Sequence, residues 1–289
     1  MEYKKPKIIF EAGCNHMGDF NLALELVDIA ASCGADAVKF QKRCNKELLT
    51  EEQYNSPHPV PHNSYGDTYG AHREFLEFDK KQHKKLKKYC EKKGIIYSTS
   101  VWDVTSAKEI VNLKPDFIKV PSACNNNFSM LKVLRDDYRG DIHISLGMTT
   151  TAEKNNLLRF FNQKRNLRRI VLYSCTSGYP VPFEDVCLLE IEHLRKLHGD
   201  IVKDIGFSGH HLGIAVDIAA YTLGARWIER HATKNRAYKG TDHSASLEPA
   251  GFSKLVRDLN ATHLSLKHKC KEILDIEQVQ RDKLKYRRS

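Results

Sequence analysis

The chain has 289 residues, 41% of them hydrophobic, a length at which an α/β barrel commonly folds as one domain around a single large core. No apolar run approaches the roughly 20 residues that span a bilayer, and the opening MEYKKPKIIFEAG is too short in apolar residues for a secretory leader, so a soluble, cytoplasmic protein with no membrane partner is expected. The formal charge of +10 raises nucleic acid as a partner, but Lys80 to Lys93 and the tail after Leu266 hold much of the excess, no aromatic residues interleave with the arginines, and no nucleic-acid module is recognisable.

Eight short β-branched or aromatic runs alternate with helix-length amphipathic segments, the pattern of βα units in a parallel sheet. In chain order the runs are Lys7 to Gly13, Ala35 to Gln41, Gly94 to Val101, Asp116 to Ser122, Asp141 to Gly147, Arg169 to Cys175, Asp204 to His210 and Ala225 to Thr233. Their number predicts closure into a (βα)8 TIM barrel. Phe20 to Cys33 carries Leu22, Leu24, Leu26, Val27, Ile29 and Ala30 as a broad apolar helix face. Gly34, Gly94 and Gly224 stand where helices end. Arg43 to Asp79, with Pro57, Pro59, Pro61, Gly66 and Gly70, reads as an irregular loop with one short helix, and loops of that length are commonly functional. A final helix is predicted from Ala250 to Leu274, which gives a catalytic barrel over 1–275 and a short basic tail over 276–289. The eight cysteines contain no CxxC pair and read as reduced and mostly structural.

A barrel of this kind places its active site at the C-terminal ends of the strands, so polar residues there read as functional. Glu11, Asn15 and His16 follow the first run, Lys39 and Gln41 the second, Ser98 and Thr99 the third, and Lys119 and Ser122 the fourth. Ser145 ends the fifth, Ser174 and Thr176 the sixth, Ser208 and His210 the seventh, Glu229 and His231 the eighth. Residues two apart share a strand face, so Lys39 with Gln41, Ser208 with His210, and Glu229 with His231 can point together into the mouth. Two lysines and a ring of hydroxyls suit a phosphate and a carboxylate. Two histidines from neighbouring strands with carboxylates nearby suit a divalent metal with open positions. Each residue taken alone also has an ordinary structural reading.

The opening EAGCNHMGDFNLALELVDIAASCGADAVKFQ resembles the N-acetylneuraminate (sialic acid) synthase family, whose hallmark is E-x-G-x-N-H-x-G followed, after one helix, by G-A-x-x-V-K-x-Q. YSTSVWD, FIKVPSACNNN, ISLGMT, SCTSGYPVPFEDV, GFSGHH and WIERHAT continue the likeness to about Asp242. The resemblance implies an enzyme that condenses phosphoenolpyruvate with an open-chain aldose to give a 3-deoxy-2-ulosonic acid and phosphate. It implies His210 and His231 as ligands of a divalent metal, with Mn2+ the first expectation and Mg2+ or Co2+ the alternatives. Lys39, Thr99, Lys119, Ser122, Ser145 and Ser208 look like the phosphoenolpyruvate cradle. Gln41, Ser177, Tyr179 and Asp242 look like sugar contacts, Glu11 like a metal-side or water-positioning acid, and a homodimer is implied.

The departures from the family lie at the sugar end. S-G-E-C-N-N becomes Ser122-Ala123-Cys124-Asn125-Asn126-Asn127, so that Cys124 stands for a sugar-contacting glutamate; S-D-H becomes Ser208-Gly209-His210; and the asparagine of C-T-N-x-Y-P becomes Ser177. The family's C-terminal antifreeze-like domain, which supplies an arginine to the acetamido group, is not expected in this chain. N-acetylmannosamine is accordingly expected to be a poorer acceptor than some aldose without that group. Two other readings stay open on the residues alone: a Schiff-base aldolase using Lys119, and a non-catalytic anion-binding paralogue.

Overall fold

Strand residues of alternating character set the architecture. Val38 and Phe40 are apolar while Lys39 and Gln41, which alternate with them, are polar, and with a side-chain period of two the first pair packs outward under helices while the second faces the axis. In the computed structural model, which describes residues 3–286, eight parallel strands close into a barrel in sequential order. They are β1 (Lys7–Gly13), β2 (Ala37–Lys42), β3 (Ile96–Val101), β4 (Phe117–Val120), β5 (Asp141–Ser145), β6 (Ile170–Cys175), β7 (Asp204–Gly209) and β8 (Trp227–His231). The expected TIM barrel is thus the fold, with each strand within a few residues of its predicted run. No helix among the described residues is long and apolar enough to cross a membrane.

Pairing registers bring the polar inward residues to similar height. Glu11 sits beside Lys39 and His231, Gln41 beside Ser100, Ser100 beside Lys119, Cys175 beside Ser208, and Ser208 beside Glu229. Below them Ile9, Ala37, Phe117, Val171, Tyr173 and Trp227 fill the barrel interior as an apolar plug. The larger core lies between the strands and the outer helices, where Phe10, Phe40, Ile118, Ile144, Leu172 and Ile228 are fully buried.

The helices follow local signals. α1 (Phe20–Ser32) begins at Asp19, whose carboxylate accepts the N–H groups of Asn21 and Leu22. The lysine-rich run forms α5 (Lys80–Lys93), opened by an Asp79–Gln82 capping box and closed by Gly94 at φ 71°. His83, Leu86 and Cys90 form its buried stripe, which leaves most of the lysines in solvent. On the outside of β7 and β8, Arg230 pairs with Asp217 of α10 (Ala215–Thr222) and donates to the His211 backbone carbonyl at 2.6 Å. That buried network ties α10 to the barrel wall.

Two predicted segments differ. The Arg43 to Asp79 stretch holds three short α-helices and a 3-10 turn at Pro61–Asn63, and not one helix: the α-helices are α2 (Asn45–Leu48), α3 (Glu51–Asn55) and α4 (Tyr69–Leu76). Gly70 permits this packing, since a Cβ there would lie 2.4 Å from the Tyr54 ring. The last helix, α11 (Pro249–Ser265), stops well short of Leu274, because the following Lys267-His268-Lys269-Cys270-Lys271 offers no apolar stripe to bury. The predicted tail is instead mostly α12 (Asp275–Leu284), with acidic residues in its first turn, basic ones in its last, and the Leu274 N–H donating to the Glu277 carboxylate at 2.9 Å. Residues 287–289 of that tail lie outside the described residues. The remaining barrel helices are α6 (Val104–Val111), α7 (Phe128–Asp136), α8 (Thr151–Asn162) and α9 (Leu189–His198).

Candidate active site

The strand ends converge on an inner chamber of about 340 Å³. Its floor is the apolar plug, topped by Tyr173, whose hydroxyl meets His143 Nδ1 at 2.8 Å. The Lys119 ammonium stands 3.7 Å above the Tyr173 ring, a placement that favours a cation. Lys119 Nζ donates to Glu229 Oε2 at 2.8 Å, and Ser208 Oγ donates to Oε1 of the same carboxylate at 3.1 Å. Lys39 Nζ lies 2.5 Å from Glu11 Oε2 and 3.7 Å from Glu229 Oε1, and donates to Ser100 Oγ at 2.9 Å.

These four charges are all buried, and burial alone would neutralise them. For Glu229 burial is outweighed by Lys119 and Lys39, which hold its carboxyl well below the usual range. For Glu11 burial prevails over Lys39 and His231, and its carboxyl is raised. Burial also lowers the Lys119 ammonium against the pull of Glu229, whereas Lys39, despite its burial, is raised by Glu11 and Glu229. One carboxylate therefore keeps its charge and the other takes a proton more easily than an exposed acid.

His210 and His231 face each other above this layer with ring centroids 5.6 Å apart. His210 Nδ1 lies 3.2 Å from the Thr176 backbone carbonyl. A carbonyl only accepts, so Nδ1 carries the hydrogen and Nε2 keeps its lone pair. Burial, with His231 beside it, pushes His210 down to about 3, so it is neutral near pH 7. His231 Nδ1 is buried without a hydrogen-bond partner, 4.0 Å from Asp242 Oδ2. Two neutral-capable imidazoles, one with an orphaned nitrogen, fit a divalent ion whose other positions go to substrate and water. Among the described residues no group of three or more His, Cys, Asp and Glu converges on a metal position.

Gln41, Ser122, Ser145, Ser177, Tyr179, Ser208, His210 and His231 line the inner chamber with Glu11, Lys39 and Lys119. Thr99 does not. It shares the outward face of β3 with Tyr97, and Ser100, one residue on, takes the inward place and the hydrogen bond from Lys39. Cys124 is also turned away: it is buried in the helix-side core, where burial pushes its thiol up to about 12, and Ala123 faces the chamber. The residue at 124 thus carries no argument about the sugar. His16 is structural too, stacked on Phe78 at 4.1 Å and accepting the Gly18 N–H through Nδ1. Asn15 Nδ2 reaches Ala232 O at 2.9 Å and Ser246 Oγ at 3.0 Å, which fastens the loop that carries Asp242.

Asp242 lines a second, outer chamber of about 310 Å³, which shares Gln41, Trp102, Tyr179 and His231 with the first. Arg43, Arg73, Tyr65 and Lys239 complete much of its wall. Gly13, at φ +52°, turns the chain beneath it, where a Cβ would crowd Gln41, Asp242 and Glu11 at 3.3 to 3.4 Å. Sequence reasoning passed over the outer cations because they belong to the insertion and to the loop after β8, where no strand alternation says which way a side chain points. The pairing role of Glu229 was signalled by its spacing of two from His231.

The pattern of the NeuB family matches residues 26–271. The chain is 37% identical over 282 residues to human N-acetylneuraminate-9-phosphate synthase, covering 96% of this chain and 76% of that one. It is 36% identical over 248 residues to the N,N'-diacetyllegionaminic acid synthase of Campylobacter jejuni, covering 85% and 73%. A solved N-acetylneuraminic acid synthetase from Leptospira borgpetersenii, in complex with citrate, superposes with a TM-score of 0.81 at 29% identity, covering 98% of this chain and 94% of that one.

Proposed function

The chain belongs to the NeuB family, and on that premise we propose that it condenses phosphoenolpyruvate with an aldose to form a 3-deoxy-2-ulosonic acid and inorganic phosphate. The observation that carries the reading is the inner chamber, where Lys39 and Lys119 stand with Ser100, Ser122, Ser145 and Ser208 below two facing imidazoles. Carbon 3 of phosphoenolpyruvate bonds to the aldehyde carbon, whose oxygen takes up a proton and becomes a hydroxyl. Water adds at carbon 2, and the bond from carbon 2 to the phosphate oxygen then breaks, leaving the keto acid.

Lys39 and Lys119 offset the charge of phosphate and carboxylate in a preorganised, largely dry site. Glu229 holds both ammoniums in place. Glu11, whose buried carboxyl takes a proton readily, acts on the incoming water. The family is generally metal-dependent, and an ion held by His210 and His231 would supply Lewis-acid polarisation of the aldehyde. Mn2+ as the preferred ion and a homodimer belong to the same reading, and metal analysis and sedimentation test them. The aldolase alternative places its Schiff base on Lys119, whose ammonium burial lowers although Glu229 pairs with it, and reductive trapping with borohydride and pyruvate separates it from condensation.

The decisive experiment offers the purified protein phosphoenolpyruvate, Mn2+ and a panel of aldoses that includes N-acetylmannosamine. Released phosphate and a 3-deoxy-2-keto acid are scored together. Equal amounts of both, dependent on the aldose, are expected. Phosphate release that does not depend on any aldose, or no keto acid with any of them, overturns the reading.

A further inference from the structure

The ladder between β7 and β8 ends with Gly209 opposite Arg230, one residue short of His210. His231 still belongs to its strand: it pairs with Glu11 of β1, and its carbonyl accepts the Leu247 N–H at 2.8 Å. One of the two facing imidazoles is therefore placed by the sheet, while the other stands on the loop that leaves it. On the chamber side, His210 is tied to the segment after β6, through the Thr176 carbonyl at its Nδ1 and the Val181 N–H at its own carbonyl, 3.1 Å away. The distance from His210 to His231 then depends on what fastens the loop to β8.

That fastening lies behind the wall. Side chains alternate along a strand, so Arg230, next to His231, points outward under α10, where it is 1% exposed. Its Nη2 donates to the His211 carbonyl at 2.6 Å and its Nη1 to the Gly213 carbonyl at 2.8 Å, so both bonds land on the loop that carries His210. Asp217 of α10 meets the same guanidinium at 2.5 Å, and His211 Nε2 lies 2.9 Å from Nη1. Gly209 belongs to the arrangement. The His211 ring folds back toward Phe207, with centroids 5.9 Å apart, and a Cβ on residue 209 would stand 2.8 Å from its Cε1. The aspartate of S-D-H would not fit here.

A buried arginine–carboxylate pair adds little net stability, because burying both charges costs about what their attraction returns. Apolar side chains would hold α10 to the wall as well. What they cannot do is aim a planar fork of donors at two carbonyls of one loop. Metal affinity responds to such control, since ligands already held near their binding geometry need no rearrangement when the ion arrives.

We propose that Arg230, oriented by Asp217, is a positioning residue that sets the separation of His210 and His231 from behind the barrel wall and so tunes their affinity for a divalent ion. This rests on the reading of the two histidines as metal ligands.

Equilibrium dialysis with Mn2+ and thermal unfolding test it together, with His231→Ala as the control for the metal itself. Two variants avoid leaving Asp217 as a stranded buried charge. Arg230→Lys keeps the ion pair but loses the fork, and the double variant Arg230→Met with Asp217→Leu replaces the pair by apolar side chains. The double variant is expected to hold the wild-type melting temperature or exceed it, yet to bind Mn2+ about tenfold more weakly. Arg230→Lys is expected to fall between it and the wild type. Phosphoenolpyruvate affinity measured without metal, which Lys39 and Lys119 carry, is expected to stay level in both. Wild-type Mn2+ affinity in both variants beside a loss in His231→Ala overturns the positioning role and leaves the metal reading intact. Unchanged affinity in His231→Ala as well removes the metal reading and this proposal with it. Loss of phosphoenolpyruvate binding in step with Mn2+, or weakening only in proportion to a fallen melting temperature, would make the network a structural tie alone and also overturns it.

Discussion

In the inner chamber each buried ammonium faces a buried carboxylate, Lys39 against Glu11 at 2.5 Å and Lys119 against Glu229 at 2.8 Å. In the outer chamber, a few ångströms on and sharing Gln41 and His231 as common wall, Arg43 and Arg73 keep buried donors with nothing to bond. The first arrangement rests close to electrical balance, and an anionic substrate must displace or protonate a carboxylate to use the lysines fully. The second is unbalanced until something enters. Construction follows the same division: the inner set stands on strands whose register fixes it, while most of the outer cations come from the insertion and the loop after β8.

That contrast predicts unequal responses to the loss of a cation. Lys119→Met strands Glu229 in a buried site with only the more distant Lys39, and such a broken pair costs about 3 to 5 kcal/mol; thermal unfolding is expected to drop by several degrees and phosphoenolpyruvate affinity to fall with it. Arg73→Met, which breaks no ion pair as close as Lys119–Glu229, is expected to cost less stability. Equal losses in both variants would remove the distinction between the chambers.

The wall they share gives the next effect. His231→Ala removes one of two imidazoles and should weaken Mn2+ binding by on the order of 100-fold, the upper end of what even an indirect change at a metal site produces. Equilibrium dialysis that finds unchanged Mn2+ affinity would take the metal away from these histidines. The smallest effect separates neighbours on one strand. Ser100→Ala should weaken phosphoenolpyruvate binding by about 1 kcal/mol, since a donor on Lys39 loses its acceptor, while Thr99→Ala should change that affinity by less than about 0.5 kcal/mol. Calorimetry with the ranking reversed would mean that β3 faces the other way.

The barrel and most of the inner chamber were legible in the sequence because a strand writes its geometry in a period of two. Lys39, Gln41, Ser208, Glu229 and His231 fall on that period and face the axis together. Thr99 shows the limit. In STS two inward positions flank an outward one, the residue types are nearly alike, and register with β2 alone decides that Ser98 and Ser100 pair with Lys39 and Gln41. Cys124 shows another, since it sits in a 3-10 turn after β4, where neither a strand nor an α-helix period applies and the side chain goes to the helix-side core. Arg43 and Arg73 were out of reach for a related reason: their directions depend on three short helices packed through Tyr54 and Gly70, contacts made only when the insertion folds against the barrel.

One chain of contacts crosses the shared wall. Arg43 Nη2 donates to Gln41 Oε1, Gln41 Nε2 donates to Glu11 Oε1 at 3.4 Å, and Glu11 Oε2 holds Lys39. A group that draws Arg43 toward itself loosens its hold on Gln41, and with it the polarisation that Gln41 passes to the acid whose proton affinity sets how freely Lys39 meets a phosphate. The two substrates therefore act on one another's equilibria through this chain in addition to their direct contact, and thermodynamic reciprocity requires the effect to be the same in both directions. Whatever factor an unreactive acceptor analogue adds to phosphoenolpyruvate affinity, phosphoenolpyruvate must add to the affinity of the analogue, and Gln41→Ala should bring both factors toward one together.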